Sequence, residues 1–201
     1  MSIMVWDVET TGLPDYKARS HDPRQPHIVS LAWVSFTPEG KEIGEHHVLV
    51  RPDGWRSSPQ AELVHGITYE RGMDEGIPEK QVTEQWVDEH VYADLRVAHN
   101  VHHDDRILKI AMLRYGWSRE DIDAILAKPK FDTCRAATRV IKPGPSVAMA
   151  AKGMKMSRSV SLVECLKHFF DLAPDGAHDA LWDARQCARL YWHLQTLEKP
   201  A

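Results

Sequence analysis

Residues 3–6, Ile-Met-Val-Trp, form an apolar run that reads as a buried strand, and the run ends in two acids, Asp7 and Glu9, with Thr-Thr-Gly directly behind. Alternate residues of a strand share a face, so both carboxylates point the same way, a few ångströms apart. Like charges held that close repel one another unless a cation or a shared proton relieves them. A chain that sends its first strand toward the core and closes it with two acids on one side is thereby committed to a sheet whose strand end carries a cation or a trapped proton.

The remaining pattern says what kind of sheet. The stretch 14–26 is polar and punctuated by proline, and reads as a mobile loop. The segments HIVSLAWVSF (27–36) and EIGEHHVLVRP (42–52) flank TPEGK, a hairpin turn, so the first three strands form one edge of the sheet. A short helix near 60–65 and a longer one over 79–92 precede LRVAHN (95–100), a short apolar strand ending in polar residues. Helical periodicity follows over 104–116 and 119–126, then a short strand at 130–133 and a helix to about residue 141. The segment 142–158, with Lys142, Lys152, Lys155 and Arg158 among prolines and glycines, reads as a flexible loop. Helices over 161–170 and 178–198 follow, and in the second Ala180, Ala184 and Ala188 form a stripe that lets a helix approach a sheet closely. Strands followed by alternating strands and helices describe a mixed sheet covered by helices.

A length of 201 residues suits one well-buried domain, read as 1–201, with no internal repeat to divide it. No apolar run reaches membrane-spanning length, and the N-terminus lacks a basic region followed by an apolar core, so a cytoplasmic protein with no membrane partner is expected. Cys134, Cys165 and Cys187 are scattered and odd in number, which fits buried free thiols and neither disulfides nor a zinc site. The seven tryptophans read as core and helix packing. A net charge of −4 argues against tight passive binding of nucleic acid. It permits an enzyme whose acids are neutralised by metal and whose basic residues are clustered locally.

Two further segments carry candidate chemistry. In VAHNVHHDDRIL (97–108), His99 and Asn100 end a strand and Asp104 opens a helix; an acid there ordinarily answers the helix dipole, and His102 and His103 read as exposed loop histidines. In HDALWDARQCARL, His178 and Asp183 are five apart and share no narrow helical stripe, so His178 reaches the side of Asp183 only from an entry loop. Each segment taken singly has an ordinary structural reading. Taken together, DxETTGL, HNxxxD and HxAxxDA, in that order from Asp7 to Asp183, resemble the three motifs of the DnaQ-like 3′-5′ exonucleases, in their histidine-containing DEDD subgroup. VHGIT (64–68) and FDT (131–133) are lesser echoes, and the likeness is greatest to the proofreading epsilon subunit of bacterial DNA polymerase III.

The resemblance implies a ribonuclease H-like α/β fold, a mixed five-stranded sheet with helices on both faces. It makes Asp7, Glu9, Asp104 and Asp183 the metal-site carboxylates, holding two Mg²⁺ or Mn²⁺, and His178 the general base. Thr10, Thr11, Gly12 and Leu13 would receive the terminal nucleotide, His65 and Ile67 would touch its base or sugar, and His99 and Asn100 would flank the scissile phosphate. The implied activity is stepwise removal of nucleoside 5′-monophosphates from single-stranded or frayed DNA 3′ ends, with a DNA polymerase as an implied partner and the oligomeric state open. An exoribonuclease of the oligoribonuclease or ribonuclease T kind is the alternative, and an inert binding module of the same fold the third. The sequence departs from the family at His103, where Phe is common, and in the loops 14–26 and 142–158.

Overall fold

The protein is described by a computed structural model over residues 2–172 and 178–198. Its strands are β1 (Ile3–Thr10), β2 (Ile28–Phe36), β3 (Glu42–Arg51), β4 (Ile77–Pro78), β5 (Leu95–Ala98) and β6 (Lys130–Asp132), in one sheet ordered β4-β3-β2-β1-β5-β6. The β1-β2-β3 meander is antiparallel, and β5 and β6 add in parallel beside β1. All five expected strands form; the sixth, β4, is a two-residue addition that pairs with β3 only at Val50 and Arg51. Too short to show any period, β4 left no trace in the pattern.

The helices are α1 (Pro59–His65), α2 (Tyr69–Glu75), α3 (Glu79–His90), α4 (Val101–Arg114), α5 (Arg119–Leu126), α6 (Thr133–Ile141), α7 (Val147–Ala151), α8 (Leu162–Phe170) and α9 (Ala180–Glu198). Period-two alternation in β1 separates two cores. Met4, Trp6 and Val8 pack with Trp33 against Trp86 of α3 and Ile107 and Leu108 of α4. Ile3 and Val5 face the other way, onto Ala184, Cys187 and Ala188 of α9. Asp7 and Glu9 continue that second register, so the alternation that builds the core also aims both acids toward α9. The alanine stripe of α9 is buried on the sheet, as its small side chains allow. All three cysteines are free and buried, and Trp6, Trp33 and Trp86 are wholly enclosed.

The structure alters some local expectations. Helix α4 begins at Val101, three residues before Asp104, because Asn100 adopts the left-handed region (φ 75°) and turns the chain directly from β5 into the helix. Helices α2 and α7 were not marked by periodicity; each is started by a side-chain cap, Thr68 and Ser146 respectively. The loop 14–26 is tied down from inside. Gln25, 2% exposed, accepts from the Asp15 N–H at 3.0 Å and donates to the Asp15 and Arg19 carbonyls at 2.9 and 3.3 Å. The loop 142–158 is closed on itself by the Arg158 N–H donating to the Gly144 carbonyl at 2.7 Å, and α7 lies within it.

Candidate active site

The site is assembled at the C-terminal end of β1. Asp7 and Glu9 pair across the sheet with Ala32 and Ser30, and the register slips between Glu9 and Thr10. Beyond that bulge Thr10 still pairs with Ile28, and Thr11-Gly12, which leave the strand, are fixed by His27, just before β2, and by the segment leading into α1. Thr11 donates its N–H to the His27 carbonyl and accepts the His27 N–H on Oγ1, both at 3.0 Å, while its own carbonyl takes the Ser58 N–H at 3.0 Å. The Thr10 hydroxyl donates to the Gly12 carbonyl at 2.8 Å.

The other acids arrive from two helices. Asp104 lies buried in the first turn of α4. Asp183 sits in the first turn of α9, which Asp179 caps: its carboxylate accepts the Trp182 N–H at 2.9 Å and its carbonyl accepts the Asp183 N–H at 2.8 Å. His178 precedes that cap in the left-handed region (φ 70°), and its N–H donates to Asp183 Oδ2 at 3.0 Å. Its exposed ring therefore stands at the mouth of the acidic cluster. Glu9, His178 and Asp183 bring possible ligand atoms within 4.8 Å of one another.

Electrostatics show what this arrangement demands. Burial, followed by repulsion from Asp183 and Asp179, lifts the Asp7 carboxyl well above its ordinary range. Burial, then Asp7, Asp183 and Asp179, pushes Glu9 to about 9. Asp104 rises strongly through burial and the charge of Asp7, and Asp183 rises through burial to about 6 although the His178 N–H opposes it. Acids that cost one another this much ionised are relieved by cations. Every donor carboxyl is a hard oxygen, which suits Mg²⁺ or Mn²⁺. Burial pushes the neighbouring Cys187 thiol well up and also raises Cys134, which lines a cavity with Asp7, so both thiols are held protonated and are poor soft ligands.

Two cavities open beside the acids. One, of about 360 Å³, is lined by Asp7, His99, Asn100, Val160, His178 and Asp183. The other, of about 400 Å³, is lined by Glu9, Thr10, Gly12, Leu13, His65 and His103, with Leu13 86% exposed at its rim. His65 accepts the Ile67 N–H on Nδ1 at 3.0 Å, and burial lowers its proton affinity, which keeps it neutral. Its neighbour Ile67 is not brought to that cavity; it is buried against Val29 and Leu49. His99 has both ring nitrogens committed. Nε2–H donates to the Val160 carbonyl and Nδ1 meets the Thr133 hydroxyl, each at 3.0 Å, so the ring braces the cavity wall. Asn100 is anchored through its N–H on Asp132 Oδ1 at 3.2 Å.

His103, expected in an exposed loop, is half-buried on α4 and lines the second cavity, and burial lowers its proton affinity. Asp179 is a site residue that motif spacing missed; its signal was the helix-capping position immediately before Ala180. Val160 and Ser161, which wall the first cavity, carry no chemical signal of their own.

A mixed α/β sheet flanked by helices, with clustered acids at the end of its first strand, is the architecture of ribonuclease H-like nucleases. Residues 4–191 match the RNase T family, described as Exonuclease, and the chain belongs to that DnaQ-like exonuclease family. No curated protein matches it in sequence. Among solved structures it is similar to Escherichia coli Exonuclease I in complex with a dT13 oligonucleotide, at 17% identity and TM-score 0.73, over 97% of this chain and 41% of that one. It is also similar to a moderately thermophilic Exonuclease I from Methylocaldum szegediense, at 20% identity and TM-score 0.72, over 99% and 41% of the respective chains. The zinc-bound form of the E. coli enzyme with single-stranded DNA matches at 18% identity and TM-score 0.73, over 98% and 41%. This chain thus spans about two-fifths of the length of those proteins, and at such identities the likeness is one of fold.

Proposed function

We propose that residues 1–201 form one catalytic domain, a divalent-metal-dependent 3′-5′ exonuclease that releases nucleoside 5′-monophosphates from single-stranded or frayed DNA 3′ ends. The observation that carries this reading is the juxtaposition of half-buried acids at the end of β1 with an exposed imidazole: possible ligand atoms of Glu9, His178 and Asp183 lie within 4.8 Å of one another, with burial and mutual repulsion raising Asp7, Glu9 and Asp104. Asp7, Glu9, Asp104 and Asp183 would hold two Mg²⁺ or Mn²⁺. When bound, such ions stabilise the charge that builds on the attacking and leaving oxygens of an in-line displacement.

The chain's own residues supply the rest. His178 accepts the proton of the attacking water, since imidazole is the side chain suited to proton transfer near neutral pH. The bond from its N–H to Asp183 fixes where that ring starts. The clamp of Thr11 on His27 and Ser58 presents the Thr10–Gly12 backbone to the last nucleotide, and Leu13 offers an apolar surface to its base. DNA is favoured over RNA by the fold likeness to Exonuclease I complexes that hold a DNA oligonucleotide. Among the described residues, no helix is long and apolar enough to cross a membrane.

The test is a gel assay of 5′-labelled single-stranded DNA and RNA with Mg²⁺, Mn²⁺ or EDTA, beside Asp7→Ala. A metal-dependent ladder shortening from the 3′ end, preferring DNA and absent in the variant, is expected. Preference for RNA would reassign the substrate, and intact strands under every condition would leave a binding module.

A further inference from the structure

Tyr16 is 65% exposed although the loop that carries it is internally fixed. The fixing is specific to its position. The Arg106 side chain of α4 reaches under the loop and donates through Nη2 to the Asp15 carbonyl at 2.9 Å and the Ala18 carbonyl at 3.2 Å. Its guanidinium carbon then lies 4.9 Å from the Tyr16 ring centroid. Gln25 holds Asp15 from the other side through its amide oxygen and nitrogen, at 3.0 and 2.9 Å. One face of the ring is thus backed by a cation, and the exposure leaves the opposite face to solvent. Ordering a polar loop around an exposed aromatic costs conformational entropy and shields little apolar surface, so packing alone is a weak reason for it.

The position relative to the site points to a ligand. Tyr16 follows Leu13 by three residues, which limits their separation to about 11 Å. Leu13 rims the cavity that holds Glu9, and His103, one helical turn before Arg106 on α4, lines the same cavity. Stacked bases rise by about 3.4 Å each, so that separation corresponds to a few nucleotides. Lys17 and Arg19 follow Tyr16 in the sequence and give its loop positive charge. We propose that Tyr16, backed by Arg106, is a stacking platform for a base lying two to four nucleotides in from the 3′ end of a single strand. This inference rests on the exonuclease reading above and adds an upstream subsite to it. An aromatic face stacks on any base, so the subsite tightens binding with little sequence preference. Because Arg106 and Gln25 fix the loop before the strand arrives, little further ordering is required on binding.

The experiment measures binding of 5′-fluorescent dT8 and dT2 by anisotropy, with Ca²⁺ replacing Mg²⁺ to slow turnover, for wild type, Tyr16→Ala and Tyr16→Phe. Metal-dependent degradation of dT8 is followed in parallel with Mg²⁺. Tyr16→Ala is expected to weaken dT8 binding about tenfold, the loss of one stacked base, while dT2 binds as in wild type and Tyr16→Phe retains the wild-type affinity for both. Unchanged dT8 binding by Tyr16→Ala, in a wild type that degrades dT8, overturns the platform and leaves the exonuclease reading standing. Equal weakening of dT2 and dT8 also overturns it, since that pattern reports a disturbed loop. A wild type that neither binds nor degrades dT8 overturns both readings together.

Discussion

Glu9 shows how one residue joins stability to chemistry. Its carboxyl ordinarily titrates at 4.5 and in the folded protein at about 9. Across that interval the folded state keeps a proton that the unfolded chain has released. Its contribution to stability is therefore full below pH 4.5 and is lost as the pH rises toward 9. Asp183 adds a smaller contribution of the same sign between 3.8 and about 6. Metal-free protein is expected to melt at a lower temperature at pH 8.5 than at pH 5.5, and Mg²⁺ is expected to raise the melting temperature more at the higher pH. Glu9→Gln should reduce that pH dependence, as read by scanning calorimetry at the two pH values, with Asp7 and Asp104, raised in the same direction, retaining the rest, and should abolish nuclease activity in the gel assay. A variant with the wild-type slope would show that Glu9 is not the residue under strain. His178 is the complementary case, because it stands exposed at the mouth of the cluster. His178→Ala should lower kcat by about 10²–10⁴-fold, the usual contribution of a general base, with Mn²⁺ affinity by calorimetry unchanged. Loss of Mn²⁺ binding in that variant would make the imidazole a ligand.

At the scale of elements, the site depends on how three of them meet. Alternation along β1 aims Asp7 and Glu9, the alanines of α9 let Asp183 approach, and the first turn of α4 delivers Asp104. That turn is pinned by the residue next to Asp104: Asp105 pairs with the wholly buried Arg96 of β5 and with Lys130 of β6, the latter at 2.7 Å. Removing one partner of a buried pair strands the other charge. Asp105→Ala should thus cost about 3–5 kcal/mol, whereas Arg96→Met with Asp105→Leu should recover most of it, as measured by urea denaturation. If the double variant is no more stable than the single one, the cost lies in packing and not in an unpaired charge. The parts legible in the sequence were those with a period or a motif. An apolar run marked β1 and a hairpin turn marked β2 and β3, while spacing with the family resemblance marked Asp7, Glu9, Asp104, His178 and Asp183. Contacts between distant segments leave no such trace. Nothing local told that Ile67 would turn into the core, that both nitrogens of His99 would be bonded, or that Gln25 and Arg106 would pin the loop at 14–26.

For the whole molecule, the proposed function raises the question of how a chain of net charge −4 would hold a polyanion. The structure sorts the basic residues of the loop at 142–158 into those already engaged and those that are free to act. Arg158 is bonded to Glu164 through both its terminal nitrogens, and across the fold Arg24 is likewise spent on Asp22. Lys142, Lys152 and Lys155 are exposed and carry no ion pair among the described residues. Their loop is closed by the bond from Arg158 to Gly144 and leads directly into Val160 and Ser161, which wall the cavity holding Asp7 and His178. A strand leaving that cavity would pass these three lysines. Each phosphate neutralised on a single strand adds about 0.7 to the steepness with which log K falls against log salt concentration. Replacing all three by serine should therefore weaken binding of a long oligothymidylate and flatten its salt dependence by about 2 in slope, with hydrolysis at saturating strand unchanged. The comparison is a salt titration of anisotropy for wild type and triple variant. Parallel slopes would remove the loop from the path of the strand and shift the electrostatic attraction to the opposite bank, at Lys17 and Arg19.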